Sequence, residues 1–352
     1  MTEKVNIFGS TLDEIRAISE KFGLPGYTSI QIADWLYRKR VAGFEEMSNL
    51  PKNARQLLDE NFYIGQSNPA DVQVSVDGTK KYLFRVKNGR FIESVYIPEP
   101  NRATLCISSQ VGCKMGCSFC MTGKQGFHGN LSPGEILNQV YALPEKELLT
   151  NYVFMGMGEP LANTENLLKS LEIMTSSYGF GISPSRITVS TIGIIPGLEK
   201  ILATTRCHLA ISLHSPFDAE RSSIMPVEKV FPIKRVVDFV KKNIPDRQRR
   251  ISFEYIMFRG INDTARHING LTRLLNGLRC RINLIRYHPI PGVTLEPSDE
   301  ETIRWFKTRL NEKGLLTTLR ASRGQDIFAA CGMLSTLKHD SGEPIPEMTT
   351  DI

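Results

Sequence analysis

Short apolar segments alternate with longer amphipathic segments from about residue 103 to about residue 321. The apolar segments are rich in β-branched residues, which predicts strands at 103–108, 151–156, 186–191, 208–214, 251–256 and 281–286. Helical periodicity lies between them at 132–143, 163–177, 232–243 and 264–276. This alternation predicts an α/β fold, a parallel sheet with outer helices that forms a partial (β/α)6 barrel. Functional sites of such folds lie at the carboxyl ends of the strands.

A last strand is predicted near residues 315–321, and it precedes a turn and a short helical segment at 322–331 that carries a cysteine. The tail 339–352 is polar and contains proline, so we expect it to be disordered. The barrel pattern with its cysteine-bearing loop therefore defines a core domain at 99–338.

Two smaller units precede this core. Residues 1–62 form a predicted helical module, in which Ile32, Trp35 and Leu36 recur at helical spacing before the basic residues 38–40. The dipeptides Asp77-Gly78 and Asn88-Gly89 separate three alternating segments. They predict a three-stranded meander that links the two domains over residues 63–98.

The last strand of this meander carries a carboxylate on an apolar face. Phe91, Glu93, Val95 and Ile97 point to the same side of an extended strand. A buried acid is either paired with a structural partner or used in chemistry, and the pattern alone leaves both interpretations open.

Composition narrows the class of protein. The 352 residues are 41% hydrophobic and 23% charged, which excludes disordered and fibrous chains. No stretch near the start of the sequence joins a basic flank to an apolar core, and no apolar run approaches the roughly 20 residues needed to span a bilayer, so we expect a cytoplasmic protein with no membrane partner. The net charge of +6 includes local basic runs, which bind phosphates in some proteins and are solvated surface in most.

Cysteine spacing is the most specific chemical feature. Seven cysteines are an odd number, which favours metal binding or thiol chemistry over a disulfide framework. Cys113, Cys117 and Cys120 lie within eight residues, just after the first barrel strand. A structural zinc site normally uses four ligands, and no second pair follows at a suitable distance. Three thiolates instead suit a [4Fe-4S] cluster whose fourth iron stays open.

This C-x3-C-x-aromatic-C spacing resembles the signature of the radical-SAM superfamily, and accidental clustering or zinc is the alternative. The resemblance implies that S-adenosylmethionine (SAM) chelates the open iron and that one electron cleaves it to a 5′-deoxyadenosyl radical.

Five further segments narrow the resemblance: 102–113, 123–127, 156–160, 211–214 and 330–334. Together they are similar to the RlmN/Cfr family of radical-SAM RNA methyltransferases, most closely to its dual-specificity RlmN branch. The resemblance covers residues 20–338. It implies methylation at C2 of an adenosine in the peptidyl-transferase centre of large-subunit rRNA and of the adenosine 3′ of the tRNA anticodon. The motifs are shared with enzymes that methylate C8 of the same rRNA adenosine, so that position remains the alternative.

The resemblance also implies residue roles. Cys331 takes a methyl group from one SAM, and a second SAM per turnover activates that methyl group for attack on the RNA. Glu93 matches the acceptor of the ring proton, with a raised pKa. Cys106 matches the thiol that releases the covalent RNA adduct by attacking Cys331. From the residues alone, both cysteines could equally be small buried side chains.

SAM contacts are expected at strand ends: Gly158, Glu159, Ser190, Ser212, Leu213, His214 and His288. The His288 assignment departs from the family, in which asparagine often precedes this proline. Trp35, Tyr37 and the basic residues 38–40 are candidates for gripping rRNA and tRNA, although Trp35 also suits packing on the barrel. The expected partners include an external electron donor such as a flavodoxin-type protein, and the enzyme is expected to be a monomer.

Two other classes of protein fit part of these data. A radical-SAM enzyme with a non-RNA substrate would explain the cluster but not the combination of Glu93, Cys106 and Cys331. A metal-stabilised RNA-binding module without catalysis would leave the Gly-Glu-Pro segment at 158–160 without a role.

Overall fold

The computed structural model describes residues 4–244 and 250–336. The predicted disordered tail therefore lies outside the described residues. An N-terminal module contains strands β1 (Val5–Asn6) and β2 (Phe62–Tyr63) and helices α1 (Leu12–Lys21), α2 (Thr28–Asp34) and α3 (Lys52–Asn61). β1 and β2 pair in parallel and close the module on itself. A capping box between Thr11 and Glu14 fixes the start of α1.

The module touches the barrel through backbone. Gly9 has a φ of +100°, and a Cβ at this position would lie 2.3 Å from the amide nitrogen of Gly134. A Cβ on Gly134 would lie 2.4 Å from the carbonyl oxygen of Phe8. Glycine is thus required on both sides of this contact, because any side chain would separate the two backbones.

The meander consists of β3 (Asp71–Val74), β4 (Lys80–Arg85) and β5 (Phe91–Glu99), as the two Gly-containing turns predict. β5 also pairs antiparallel with β6 (Arg102–Cys106), the first barrel strand. The meander is therefore continuous with the barrel sheet and is more than a linker between two domains.

Seven parallel strands of the described chain form the barrel. After β6 comes a small hairpin of β7 (Gln110–Gly112) and β8 (Phe127–Asn130). The remaining barrel strands are β9 (Asn151–Phe154), β10 (Ile187–Thr191), β11 (His208–Ser212), β12 (Ile251–Met257), β13 (Arg281–Arg286) and β14 (Thr317–Leu319). They lie in the order β6-β9-β10-β11-β12-β13-β14, which confirms the predicted strands and the α/β barrel class.

Helices cover the outer face of the sheet. The four predicted helices are present as α5 (Pro133–Tyr141), α6 (Thr164–Thr175), α9 (Ile233–Asn243) and α10 (Ala265–Leu275). The sequence did not single out α4 (Met121–Gln125), α7 (Ile195–Thr204), α8 (Asp218–Ile224) and α11 (Glu300–Glu312). Amphipathic spacing buries one face of each long helix: α9, for example, places Ile233, Val236, Val237 and Val240 in the core.

The predicted short helix at 322–331 is wrong. Residues 325–328 form turns, and Phe328 adopts a φ of 53°, which ends any helical continuation. Across residues 4–244 and 250–336, no helix is long and apolar enough to cross a membrane.

Candidate functional site

A loop of residues 113–120 follows the β7 strand and leads into α4. The Cys113 amide donates to the carbonyl of Gly126 at 2.9 Å, so the hairpin closes over the start of the loop. At the other end, the Ser118 amide donates to the carbonyl of Ile224 at 3.0 Å, and Cys120 is the N-cap residue of α4. The loop is thus fixed by two neighbouring elements.

The three cysteines of this loop line a cavity of about 150 Å³, which we call the cysteine cavity. Other residues in its wall belong to strands β10, β11 and β12 or follow the ends of strands: Gly158, Glu159, Ser190, Ser212, His214, Glu254, Arg320 and Cys331. The structure therefore brings most of the predicted cluster and SAM residues to one place, at the predicted end of the barrel.

The donor set of the cavity fits an iron–sulfur cluster. Burial raises the pKa of Cys113 to about 12 and also raises the pKa of Cys117 and Cys120, so thiolates here need a metal or cation to stabilise them. Within the described chain, no three His, Cys, Asp or Glu side chains converge on one metal ion. A [4Fe-4S] cluster binds one thiolate at each iron, so thiols spread around a cavity wall suit it.

Gly158 and Glu159 form part of the cavity wall beside the loop of residues 113–120, which we call the cluster loop. Gly158 has a φ of +95°, and a Cβ there would lie 2.5 Å from the Cβ of Gln110. The Glu159 carboxylate accepts hydrogen bonds from the Thr191 hydroxyl at 2.6 Å and the Ile192 amide at 3.0 Å. Burial raises the pKa of Glu159 to about 7, and these hydrogen bonds oppose the increase. Most of the carboxylate is therefore committed to the loop after β10.

Ser190, Ser212 and His214 also line the cysteine cavity. Burial lowers the pKa of His214 to about 3, so its imidazole is neutral, and Nδ1 accepts from the Ile256 amide at 3.0 Å. Leu213 differs from its neighbours, because its side chain is fully buried in the core and does not line the cavity.

Cys331 lies on a segment of residues 322–336 that we call the C-terminal strap. One end of the strap is bound to the β3–β4 turn: the Ser75 hydroxyl donates to Asp326 at 2.6 Å, and the Gly324 amide donates to Asp77 at 3.0 Å. Between its two ends, Cys331 is exposed.

The other end of the strap is bound to α4, the helix that begins at the cluster loop. The Met121 amide donates to the Gly332 carbonyl at 2.7 Å, and the Thr122 hydroxyl donates to the Leu334 carbonyl at 2.7 Å. Gln125 completes the contact with hydrogen bonds to residues 335 and 336. The strap therefore places Cys331 next to the cysteine cavity.

Cys331 also lines a second cavity, of about 380 Å³. Cys106 lies in the same wall, and both thiols are reduced. Burial, with a smaller contribution from Cys331, raises the pKa of Cys106 to about 12. The second cavity is also lined by three arginines, Arg102, Arg320 and Arg323, by His288 and by the acidic Glu99.

His288 is therefore separated from the other predicted SAM residues. Its Nε2 lies 2.9 Å from the hydroxyl of Ser322, and burial, with the neighbouring Arg286, lowers its pKa. The structure places this histidine in the second cavity and not among the lining residues of the cysteine cavity.

Glu93 lies in neither cavity and is only 1% exposed. Its Oε1 forms an ion pair with Lys81 Nζ at 2.9 Å, and its Oε2 accepts from the Ser335 amide of the strap at 2.9 Å. The sequence left open whether Glu93 has a structural partner or a chemical role. The structure is compatible with both, because Glu93 is paired with Lys81 and also contacts the segment that carries Cys331.

Comparisons with known proteins agree with this geometry. The radical SAM superfamily model matches residues 107–268, and the model of the ribosomal RNA large subunit methyltransferase N-terminal domain matches residues 5–64. The probable dual-specificity RNA methyltransferase RlmN of Parabacteroides distasonis is 54% identical over 96% of this chain and 99% of its own. RlmN of Syntrophus aciditrophicus is 43% identical over 94% of this chain and 97% of its own.

A crystal structure of a radical SAM methyltransferase from Sphaerobacter thermophilus has a TM-score of 0.87 and 37% identity, covering 94% of this chain and 99% of that chain. The chain belongs to the RlmN family. It is a radical-SAM RNA methyltransferase, and membership of this family implies a [4Fe-4S] cluster and SAM as cofactors. The predicted family is confirmed.

Two residues of this RlmN-family site were missed from the sequence. Arg320 lies at the end of β14 in both cavities, and its guanidinium donates to the Met155 sulfur at 3.3 Å. Glu254 lies inside the barrel, where the Asn283 amide donates to it at 2.8 Å. The position of Arg320 after the last strand was a usable signal, because barrel sites lie at strand ends.

Only some of the candidate RNA-binding side chains in the N-terminal module of this RlmN-family enzyme are exposed. Tyr37 is 1% exposed and its hydroxyl donates to the Ser10 carbonyl, so it cannot stack on RNA. Trp35 is partly buried, and Lys39 Nζ lies 3.7 Å from its ring centroid. Arg38 is exposed, whereas Arg40 is ion-paired with Glu147 at 2.8 Å.

Proposed function

We propose that this enzyme methylates C2 of adenosine in the peptidyl-transferase centre of large-subunit (23S-type) rRNA and of the adenosine 3′ of the anticodon in tRNA. The observation that carries the proposal is the position of Cys331, which lines both the cysteine cavity and a second, basic cavity that also contains Cys106. The dual specificity named for relatives 43–55% identical supports the choice of both RNA substrates.

Cys113, Cys117 and Cys120 would hold the cluster, with SAM bound against Gly158, Glu159, Ser190, Ser212 and His214. The bound cluster supplies one electron for the cleavage of SAM. The buried wall excludes water, and the neutral imidazole of His214 offers no positive charge to repel the sulfonium of SAM. The side chains of His288 and Leu213 are not among the proposed SAM-binding residues.

Cys331 carries the methyl group in this mechanism. Its sulfur attacks the methyl carbon of one SAM, the bond from that carbon to the sulfonium sulfur breaks, and S-adenosylhomocysteine leaves as Cys331 loses its proton. Cleavage of a second SAM would remove one hydrogen atom from the S-methyl group of Cys331, and the methylene carbon would then bond to adenine C2. Cys331 can receive the methyl group and pass it to the RNA because it is exposed between the cavity proposed for SAM and the cavity proposed for the target nucleotide.

Release of the product needs two further residues. The unpaired electron of the adduct would return to the bound cluster, and the C2 proton passes to the Glu93 carboxylate. The Cys106 thiol then attacks the sulfur of Cys331 and gives up its proton. A disulfide forms, and the carbon leaves sulfur with the electron pair, takes a proton and becomes the methyl group of the product. An external thiol reduces the disulfide for the next cycle.

The second cavity suits the target nucleotide. Enzymes that act on a base first remove it from the stack and enclose it in a pocket. Arg102 and Arg323 line this cavity and can pair with phosphates of the flipped nucleotide, and His288 and Arg320 line it as well. Three guanidinium groups around the cavity favour a nucleic-acid substrate over an apolar metabolite.

The remaining assignments concern domains and partners. We propose that residues 1–62 bind RNA through Arg38 and Lys39, and that 63–98 and 99–338 form the meander and the catalytic core. A flavodoxin-type carrier would deliver the electron to a monomeric enzyme. A cytoplasmic location stays a prediction.

Nucleoside mass spectrometry tests the proposal. The reconstituted enzyme is incubated anaerobically with SAM, a reductant and unmodified rRNA or tRNA, and we expect 2-methyladenosine in both RNAs. Cys331→Ala abolishes the product, whereas Cys280→Ala, a partly buried cysteine that lines neither cavity, retains it. A peak of 8-methyladenosine would contradict the position, and 5′-deoxyadenosine without a methylated base would contradict the RNA substrate.

A further inference from the structure

Glu93 has a buried positive partner whose role the reaction does not yet include. Lys81 is 7% exposed, and its Nζ lies 2.9 Å from Glu93 Oε1. It lies on β4, directly beside the β5 strand that carries Glu93. A lysine is seldom buried to this extent unless it is paired, because removal of its charge from water is costly.

The two oxygens of Glu93 have different partners. Oε1 faces Lys81, whereas Oε2 accepts from the Ser335 amide, four residues beyond Cys331 on the strap. The lysine therefore fixes one oxygen and leaves the other directed to the segment that carries the methyl group. An ammonium at this distance also favours the charged form of the carboxylate in a low-dielectric site.

From this geometry we propose that Lys81 is a positioning residue for the proton transfer, holding Glu93 ionised and oriented to accept the C2 proton from the RNA adduct. In that step the C2–H bond breaks, an O–H bond forms on Glu93, and the positive charge of Lys81 is left without its paired negative charge. The inference rests on the proposed role of Glu93 in product release.

Three elements of the described chain contribute contacts to Glu93. β4 contributes Lys81, the loop after β9 contributes the sulfur of Met157, and the strap contributes the Ser335 amide. β6 places Cys106 opposite Val95. Because burial raises the pKa of Cys106 to about 12, this thiol stays neutral across the pH range of the test.

Removal of the ammonium makes proton acceptance dependent on pH. Without the positive partner the pKa of the Glu93 carboxyl rises, and below that pKa the group is protonated and cannot accept a proton. The rate of adduct release is then low at acidic pH and returns as pH rises. A variant that only loosens the local packing would instead change the rate by a similar factor at every pH.

The experiment follows the covalent protein–RNA adduct on denaturing gels in single-turnover reactions between pH 6 and 9. In Lys81→Met the adduct should decay roughly tenfold more slowly than in wild type at pH 6.5, the loss expected if the carboxyl pKa of the variant lies about one unit above that pH. Above pH 8.5 the decay rates of the variant and the wild type should differ by less than about twofold. Lys81→Arg retains the charge and should restore the wild-type profile.

Lys80→Met is the matched control, because the adjacent Lys80 pairs with Glu145 at 2.6 Å on the other face of β4. Lys81→Gln serves if Lys81→Met does not fold. In the apoprotein, infrared titration should show a carboxyl band that persists to higher pH in Lys81→Met and is lost when Glu93→Gln is added.

The outcomes separate the two proposals. If Glu93→Gln traps the adduct but Lys81→Met follows the wild-type profile, or slows release equally at all pH values, the role of Lys81 is wrong and that of Glu93 stands. If Glu93→Gln does not trap the adduct, both roles are wrong.

Discussion

At the scale of single residues, the site depends on two cysteines with different environments. Cys331 is exposed on the strap, whereas Cys106 is buried in the second cavity with a raised pKa. A thiol that stays protonated is a poor nucleophile, so in the proposed mechanism the raised pKa would delay the attack of Cys106 on Cys331 until the adduct has formed and the site has rearranged. Arg320 lies in the wall of both cavities and brings a positive charge beside the two sulfur atoms.

Cys106→Ala should trap the covalent RNA adduct. Methyl transfer to Cys331 and attachment to adenine do not need Cys106, but release does, so the adduct should accumulate as a slow-migrating band on denaturing gels. Cys207→Ala, in a cysteine that is 0% exposed in the core away from both cavities, should turn over normally. Normal turnover in Cys106→Ala would show that another group releases the product.

Residue roles were only partly predictable from the sequence. The cysteine spacing identifies the cluster loop, because its three ligands lie within eight residues. Lys81, Glu254 and Arg320 could not be assigned in the same way. Their partners lie far away in sequence or on adjacent strands, and the sequence pattern does not show which side chains of neighbouring strands face each other.

At the scale of elements, the strands were predictable and several connections were not. A buried parallel strand is a short apolar run, and each of the six predicted barrel strands is present within two residues at either end. Pro196 and Gly197 are the second and third residues of α7, and because this pair favours a turn, the helix was not predicted. The segment 322–331 has helical composition but is held in turns by its bonds to the β3–β4 turn.

Gly158→Ala tests whether the loop after β9 needs its close contact with Gln110. The new Cβ would meet the Gln110 side chain at 2.5 Å, and such overpacking costs about 1–3 kcal/mol. We expect SAM affinity to fall by roughly tenfold, measured by equilibrium binding to the reconstituted enzyme. Gly260→Ala is the control, since its φ is also positive, at +68°, but no atom lies within 4 Å of the added Cβ. Equal losses in both variants would assign the effect to backbone strain alone.

At the scale of the whole molecule, the ten strands of the largest sheet in the described chain join the meander to the barrel. This continuity explains how Glu93 on β5 comes close to the strap that follows β14, although more than 240 residues separate Glu93 from Ser335 in sequence. The sequence predicted both regions but treated the meander as a linker, because strand pairing across domain boundaries is a long-range property.

RNA binding by the N-terminal module should depend on salt. Replacing Arg38 and Lys39 together by alanine should weaken RNA affinity and lower the slope of log affinity against log salt by roughly one to two, since up to two phosphate contacts are lost. Filter binding at several salt concentrations measures both. Lys234→Ala, at an exposed lysine paired with Asp238 on α9, should change neither. An unchanged slope of log affinity against log salt in the double variant would show that RNA binds at another surface.

The contact between Gly9 and Gly134 has a consequence for how substrates are chosen. Because the backbones of the module and the barrel meet there without side chains between them, the basic residues 38–40 that follow α2 are held at a set distance from the cavity that contains Cys331. On the proposed RNA-binding role of residues 38 and 39, we expect the enzyme to accept an RNA in which the bound backbone and the target adenosine are separated by the matching distance. Two RNAs of unrelated sequence should then serve equally well if their folds present that distance, and an adenosine at another distance should not react.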